Sequence, residues 1–305
     1  MIDLLSEPAT TRNSAPEDGV AHHLLGRTTA HRWWRPLVEL ALLPVLVVAF
    51  SLLLFGAASG LAVAFGAGIG PDQNFADPLW EFGFGFAAIA ILLPAIALTV
   101  RWAGKRRLGT VSSVAGRLRR RWLLECLGWA LLGIGLAIGV DLVRGVPWDA
   151  AAWPGWPTFL TVLAVALALV PFQAAAEEYL CRGWLVQTLA AWTRTPWPGI
   201  VLSSVVFAGL HDYTEPWVLG EMFLFAMAMC WLTIRTGGLE AAIALHVVNN
   251  VVLIVLEATQ GIPALDQSGG GYTLWDVLPV AVTTLLYAWW IDRRARRLGL
   301  AATTR

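Results

Sequence analysis

Long uninterrupted apolar runs dominate the chain and predict membrane-spanning helices. Runs such as 37–55 and 82–100 carry hydrophobic residues on nearly every side of a helix, not along one stripe. A helix needs about 20 mostly apolar residues to cross the hydrocarbon core of a bilayer. We therefore expect an all-α, polytopic bundle of about eight spans, near residues 37–65, 79–100, 122–143, 158–180, 198–214, 216–235, 238–258 and 274–292.

Two of these spans are irregular in sequence. The fifth is the weakest, because its continuous apolar run covers only Gly199–Leu210. The fourth can continue as a helix towards Trp192, and Pro171 within it is expected to bend the helix.

The composition agrees with lipid as the main solvent. Hydrophobic residues make up 57% of the chain and charged residues 14%, whereas a soluble domain carries about 25% charged residues. Cys126, Cys181 and Cys230 all lie in or beside apolar runs. An odd number of cysteines without paired spacing argues against a disulfide framework and against a thiolate zinc site.

Positive charge is distributed unevenly between the two sets of loops and predicts the orientation. Cytoplasmic loops retain Lys and Arg, and all but two of the 21 basic residues fall on one side of an eight-span arrangement. Only Arg144 lies in the opposite loops, and Arg182 lies in or near a span. Both termini are therefore expected to be cytoplasmic. The basic loop 101–121 is interpreted as facing anionic lipid headgroups, and no nucleic-acid partner is expected.

The predicted organisation has three parts. Residues 1–35 are expected to form a flexible cytoplasmic tail and residues 36–292 an integral membrane domain. Residues 293–305 are expected to form a basic cytoplasmic C-terminal tail. The oligomeric state is not specified by the sequence.

Ionisable and amide side chains inside the predicted spans are the candidate functional residues. Placing a charge at the centre of a span costs about 2.5–3.5 kcal/mol on insertion scales, so each such residue needs a reason. Three clusters stand out, from three different spans: Glu177 and Glu178 with Arg182; His211; and His246 with Asn250.

Helical spacing relates the members of each cluster. Glu178 and Arg182 are four residues apart and can form an ion pair, while Glu177 points about 100° away from Glu178. His246 and Asn250 also share a helix face. A carboxylate, two imidazoles and an amide can thus converge on one polar pocket, although each histidine alone could equally be a hydrogen-bonding contact between helices.

The three clusters together resemble the CAAX prenyl protease and bacteriocin-processing family. The motifs EExxxR, FxxxH and HxxxN occur here as Glu177-Glu178-x-x-x-Arg182, Phe207-x-x-x-His211 and His246-x-x-x-Asn250, in that order. Each motif is weak alone, but all three on successive membrane helices are specific. The resemblance covers about residues 158–258.

This resemblance implies an intramembrane endopeptidase similar to the type II CAAX prenyl endopeptidases, in a bacterial cytoplasmic membrane. Its substrate would be a membrane peptide or a lipidated protein, with membrane lipids as neighbours. By resemblance, Glu177 and His211 would activate the attacking water, and His246 and Asn250 would stabilise the oxyanion. Glu178 and Arg182 would support the site.

The resemblance leaves the metal question open. Glu177, His211 and His246 could hold one Zn²⁺ ion with water in the fourth position. The alternative is a metal-free mechanism with Glu177 as general base, in which no cofactor is required. The HExxH arrangement of a helical zinc protease is absent from the sequence.

Two other classes of function use the same residues. A non-enzymatic membrane scaffold or bacteriocin-type immunity protein would use the polar cluster to bind a partner. A transporter would use the acidic and histidine residues as a proton relay, but the inverted repeats typical of transporters are not found in the sequence.

Overall fold

The computed structural model describes residues 18–70, 75–145, 149–264 and 271–304, and within these ranges the regular structure is helical throughout. Its α-helices are α1 (Arg35–Ala64), α2 (Pro78–Ala90), α3 (Leu92–Trp102), α4 (Gly109–Ser112), α5 (Arg120–Val143), α6 (Trp156–Glu178), α7 (Val186–Thr193), α8 (Trp197–Gly209), α9 (Pro216–Thr236), α10 (Glu240–Ala258) and α11 (Leu274–Arg297). A π-helical segment, Tyr179–Leu185, joins α6 to α7, and short 3₁₀ turns occur at His22–Leu24 and Ala150–Ala152.

Seven helical stretches of the described chain are long and apolar enough to cross a membrane. They are Arg35–Ala64, Pro78–Trp102, Arg120–Val143, Trp156–Thr193, Pro216–Thr236, Glu240–Ala258 and Leu274–Arg297. The thirteen-residue α8 is apolar but shorter. The prediction of an all-α, polytopic membrane bundle is confirmed, with α8 in the place of the weak fifth span.

Helix interruptions follow from local chemistry. The second span divides at Ile91 into α2 and α3, three residues before Pro94. A proline has no N–H to bond the carbonyl four residues earlier, and its ring clashes with that carbonyl, so the helix breaks there. In the fourth span, α6 continues through Pro171, and regular α-helical bonding ends only after Glu178, where the π-helical segment begins.

Helix α10 lies at the centre of the bundle, in contact with α5, α6 and α9. Its first turns carry the small residues Ala241, Ala242 and Ala244, all fully buried. Small side chains let neighbouring helices approach closely in a membrane. Helix α10 also packs against α6, so the two helices that carry most of the candidate residues are neighbours.

Residues 18–34 differ from the expected flexible tail, because they pack against the membrane domain. His22 and Leu25 are buried, and His22 Nε2–H donates to the carbonyl of Val111 at 2.9 Å. Gln187 Nε2 donates to the carbonyls of His22 (3.0 Å) and Thr110 (2.8 Å). A buried amide that bridges two segments fixes this part of the tail in place. Residues 1–17 of the predicted tail lie outside the described residues.

The C-terminal segment also packs instead of extending as a tail. Helix α11 continues to Arg297, and beyond it the Thr304 carbonyl accepts from Gly19 N (3.0 Å) while Thr304 N donates to the Val20 carbonyl (3.0 Å). We call this pairing of residues 19–21 with residues 303–304 the terminal clasp. The clasp places both terminal segments on the same side of the bundle. That this side is cytoplasmic stays a prediction.

The basic loop between α3 and α5 is only partly a lipid-facing surface. Arg106 is buried and pairs with Glu39 of α1 (3.2 Å). Arg119 binds Glu240, the first residue of α10, through its backbone N (2.7 Å), Nε (2.9 Å) and Nη2 (2.7 Å). These two arginines therefore hold the loop against the helix ends, a role that counting loop charges does not reveal.

Candidate active site

Helix α6 supplies two carboxylates at the point where α-helical bonding ends. Glu177 is partly exposed, with 14% of its side-chain surface accessible, whereas Glu178 is fully buried. Consecutive helical residues point about 100° apart, so the two carboxylates face different neighbours. A π-helical segment such as Tyr179–Leu185 is rare and occurs frequently at functional sites.

Glu178 and Arg182 form the ion pair that their spacing predicts. Arg182 Nη1 lies 3.1 Å from Glu178 Oε1, and both side chains are fully buried. The guanidinium carbon lies 4.0 Å from the centre of the Phe207 ring, and a second ring, Phe225, is 5.6 Å away. A cation over an aromatic face is attracted by the ring quadrupole, so these rings stabilise the charge in an otherwise apolar position.

His246 of α10 lies between the two carboxylates. Its Nδ1 is 2.7 Å from Glu178 Oε1, and its Nε2 is 3.6 Å from Glu177 Oε2. Because a carboxylate accepts, Nδ1–H is the donor to Glu178, and this bond fixes the orientation of the imidazole. Glu178 thereby holds both Arg182 and His246, whereas the sequence predicted contact only with Arg182.

His211 lies just beyond the end of α8, because the helix stops at Gly209 and not near residue 214 as predicted. Its Nδ1–H donates to the Phe207 carbonyl at 2.8 Å, one of the carbonyls left without a partner at a helix end. With the proton on Nδ1, Nε2 keeps its lone pair and can accept a proton.

Four of the predicted residues contact one another in the site: Glu177, Glu178, Arg182 and His246. His211 is connected to them only through the Phe207 ring. The His211 ring packs against Phe207, with the ring centres 4.9 Å apart, and Phe207 also packs against His246 at 5.8 Å. Within the described chain, His211 makes no hydrogen bond or ion pair with Glu177. The two imidazoles thus border the same aromatic ring.

Asn250 joins the site through a residue that the sequence analysis did not select. Gln173, four residues before Glu177 on α6, donates from Nε2 to Glu177 Oε1 (2.5 Å). Its Oε1 accepts from Asn250 Nδ2 (3.2 Å), and Asn250 Oδ1 accepts from Asn249 Nδ2 (3.3 Å). Gln173 could have been selected from the sequence, because positions four apart are neighbours on a helix and Gln173 therefore shares a face with Glu177.

The geometry leaves hydrogen-bonding capacity at the centre of the site. Glu177 Oε2 and Glu178 Oε2 are buried atoms without a hydrogen-bond partner among the described residues. Buried acceptors are normally satisfied, and an exception asks for an explanation such as a catalytic role or a bound water. Glu177 Oε2 and His246 Nε2 are close enough together for one water molecule to contact both.

The arrangement does not fit the metal set that the sequence suggested. Nowhere in the described ranges do three or more His, Cys, Asp or Glu side chains come together in a group that could hold a metal ion. Glu177 and His246 are adjacent, but His211 lies across the Phe207 ring from His246. We therefore derive no step through a metal.

Comparison with known proteins identifies the region that carries the site. Residues 156–252 match the family model described as type II CAAX prenyl endopeptidase Rce1-like. A Bacillus subtilis protein, described as uncharacterized protein YyaK, is 26% identical over 247 residues, which cover 74% of this chain and 82% of that protein. No solved structure shows a significant match. The resemblance drawn from the three motifs is confirmed, and the Rce1-like domain runs from the start of α6 into α10.

Proposed function

We propose that the Rce1-like domain is an intramembrane endopeptidase in which Glu177 is the general base. The observation that carries this proposal is the pairing of a partner-free carboxylate oxygen, Glu177 Oε2, with His246 Nε2 at 3.6 Å. The imidazole is held by a second, buried glutamate. An acid–base group and a hydrogen-bond donor positioned around one point are what hydrolysis of a peptide bond requires.

The proposed reaction uses the side chains as follows. Glu177 takes a proton from water while the water oxygen bonds to the scissile carbonyl carbon, and His211 Nε2 can assist as a second acceptor. The carbonyl oxygen becomes an oxyanion that accepts from Asn250 Nδ2 and from Nε2–H of His246 in its imidazolium form, whose Nδ1–H remains on Glu178. When the carbon–nitrogen bond breaks, Glu177 returns its proton to the leaving nitrogen. General acid–base catalysis of this kind contributes about 10²- to 10⁴-fold in rate.

The proposed substrate is a membrane-associated peptide or a lipidated protein of a bacterial cytoplasmic membrane. All the site residues except His211 lie on helical stretches that are apolar enough to span the bilayer, so a substrate must come from the lipid phase or from its surface. A lipid anchor concentrates a protein at the membrane, since each buried methylene contributes about 0.8 kcal/mol.

A comparison of peptides from cells tests the proposal. Membrane and released fractions of cells carrying the wild type, Glu177→Gln or Glu125→Gln are compared by mass spectrometry. Glu125 pairs with Arg294 away from the site and is a matched carboxylate control. We expect a peptide that is cleaved with wild type and Glu125→Gln but intact with Glu177→Gln. If no peptide distinguishes the variants while the cells' phenotype persists, the partner-binding scaffold is favoured.

Purified protein tests the substrate class. Proteoliposomes are given an internally quenched CAAX-type peptide, either farnesylated or without the lipid. Cleavage of only the farnesylated peptide supports a lipidated substrate, and equal cleavage of both supports a general membrane peptide.

A further inference from the structure

Three side-chain amides form a chain of hydrogen bonds that ends on Glu177. Asn249 donates to Asn250 (3.3 Å), Asn250 donates to Gln173 (3.2 Å), and Gln173 donates to Glu177 (2.5 Å). The chain crosses from α10 to α6. All four of these residues are part of the matched domain, yet the motifs include only Asn250 and Glu177.

The carboxylate at the end of the chain determines the orientation of every amide in it. An ionised carboxylate only accepts, so Gln173 must turn its NH₂ towards Glu177. The Gln173 oxygen then faces Asn250, which must present its own NH₂. The oxygen of Asn250 is left to accept from Asn249. Each amide has one arrangement that satisfies its neighbours on both sides.

Burial makes this orientation hard to exchange. Gln173 is 4% exposed, so water cannot readily replace either of its hydrogen bonds. An amide placed in an apolar environment without partners costs free energy, and both ends of Gln173 have partners.

The chain also decides which atoms remain available for chemistry. Gln173 occupies Glu177 Oε1, and the other oxygen, Oε2, is the one without a partner in the described structure and faces His246. Asn250 uses one of its two N–H groups on Gln173 and keeps the second.

We propose that Gln173 is a positioning residue that aims Glu177 Oε2 at the water and directs the second N–H of Asn250 at the reacting carbonyl. This inference rests on the proposed function, because it assigns roles within that reaction. Gln173 acts through Glu177 and Asn250 and does not itself touch the substrate.

Gln173→Leu is the first test, since leucine fills much of the volume without either hydrogen bond. Loss of a hydrogen bond to a charged group should lower kcat about 10- to 100-fold, with KM little changed. The probe is the internally quenched farnesylated CAAX-type peptide in proteoliposomes. Gln187→Leu is the matched control, because Gln187 is also a buried bridging amide but contacts His22 and Thr110. It should alter thermal stability and leave kcat of the folded protein unchanged.

A labelling experiment gives a readout that does not depend on turnover. Dicyclohexylcarbodiimide reacts with protonated carboxyl groups, and a donor to the carboxylate disfavours the protonated form. Labelling of Glu177 at neutral pH, measured by mass spectrometry, should rise several-fold in Gln173→Leu and stay at the wild-type level in Gln187→Leu. Unchanged labelling and unchanged kcat in Gln173→Leu would overturn the inference.

Gln173→Glu separates positioning from packing. A protonated Glu at this position can donate to Glu177 and accept from Asn250, so it restores the pattern, whereas an ionised one cannot. We expect its pH optimum for cleavage to move to lower pH, while the Gln173→Leu defect is independent of pH.

If neither variant folds, Gln173 is a structural residue and the inference fails. Normal cleavage by Glu177→Gln would instead contradict the proposed function. The labelling of Glu177 in Gln173→Leu does not depend on turnover, so it would still test the positioning by Gln173.

Discussion

Two buried glutamate–arginine pairs in this molecule are built differently, and they differ in how many of their carboxylate oxygens have hydrogen-bond partners. Glu240 uses both oxygens on Arg119, which binds them through three nitrogens. Glu178 uses one oxygen for both Arg182 and His246, and its Oε2 has no hydrogen-bond partner in the described part of the chain. Both carboxylates are fully buried.

Satisfaction of hydrogen bonds, and not burial or charge, is therefore what distinguishes the two pairs. A pair in which both carboxylate oxygens are hydrogen-bonded, which we call the saturated pair, contributes by holding segments together. A pair with a free acceptor, beside a second glutamate that also has one, carries an energetic cost that a substrate or water can relieve.

The largest effect should come from Glu177, the second glutamate whose Oε2 has no hydrogen-bond partner among the described residues. Glu177→Gln keeps the shape of the side chain but removes the base, so turnover should fall about 10²- to 10⁴-fold while the melting temperature changes little. The measurement is cleavage of the farnesylated peptide together with a thermal melt in detergent. Comparable losses of turnover and stability would contradict the role of Glu177 as general base.

The saturated pair should show the opposite behaviour. Glu240→Gln leaves Arg119 without its charge partner, and breaking a buried ion pair costs about 3–5 kcal/mol of folding free energy. The melting temperature should fall clearly, and turnover per folded molecule should stay near that of the wild type. Reduced turnover at full stability would contradict this assignment.

A smaller effect should follow from the ring beneath Arg182. Phe207→Leu removes the face that lies 4.0 Å from the guanidinium, and a desolvated cation–π contact is worth about 1–2 kcal/mol. Phe225→Leu is the control, since its ring is 5.6 Å away and should matter less. Equal stability losses in detergent melts would show that packing volume, not the cation contact, dominates.

The smallest effect concerns a third buried polar group, outside the spans. Burial lowers the pKa of His22 from 6.5 to about 4, and the nearby charges of His23, Arg119 and Arg106 act in the same direction. The released segment therefore binds a proton more readily than the docked one. Docking of residues 18–34 should be unaffected above about pH 6.5 and should weaken as the pH falls towards 4.

Hydrogen exchange of residues 18–34 at pH 7.5 and 5 measures this docking. His22→Gln, which does not titrate in this range, should remove the pH dependence. A pH dependence that persists in His22→Gln would assign the effect to another group.

The sequence predicted the features that depend on spacing within one helix. The apolar runs predicted the bundle, and the four-residue separation of Glu178 and Arg182 predicted their ion pair. The three motifs also selected residues that meet at one place, as Glu177 and His246 do. The catalytic roles of these residues stay predictions.

Contacts between different helices could not be predicted from sequence spacing. That Glu178 rather than Glu177 binds His246 Nδ1 depends on the register of α6 against α10, which no spacing specifies. Arg119 was counted as a loop charge, because its partner Glu240 lies far away in sequence. His211 lies outside the helix in which it was predicted, because α8 ends at Gly209. Helix boundaries are the feature that sequence patterns locate least well.

The terminal clasp has a consequence for the order of assembly. Gly19 and Val20 are synthesised before α1, whereas their partner Thr304 follows α11. Membrane helices are made and inserted in sequence, so these contacts can form only after α11 is in place. Until then residues 19–21 cannot pair with residues 303–304, so their pairing shows that α11 has already been made. Protease resistance of this segment would therefore report maturation of the newly made protein.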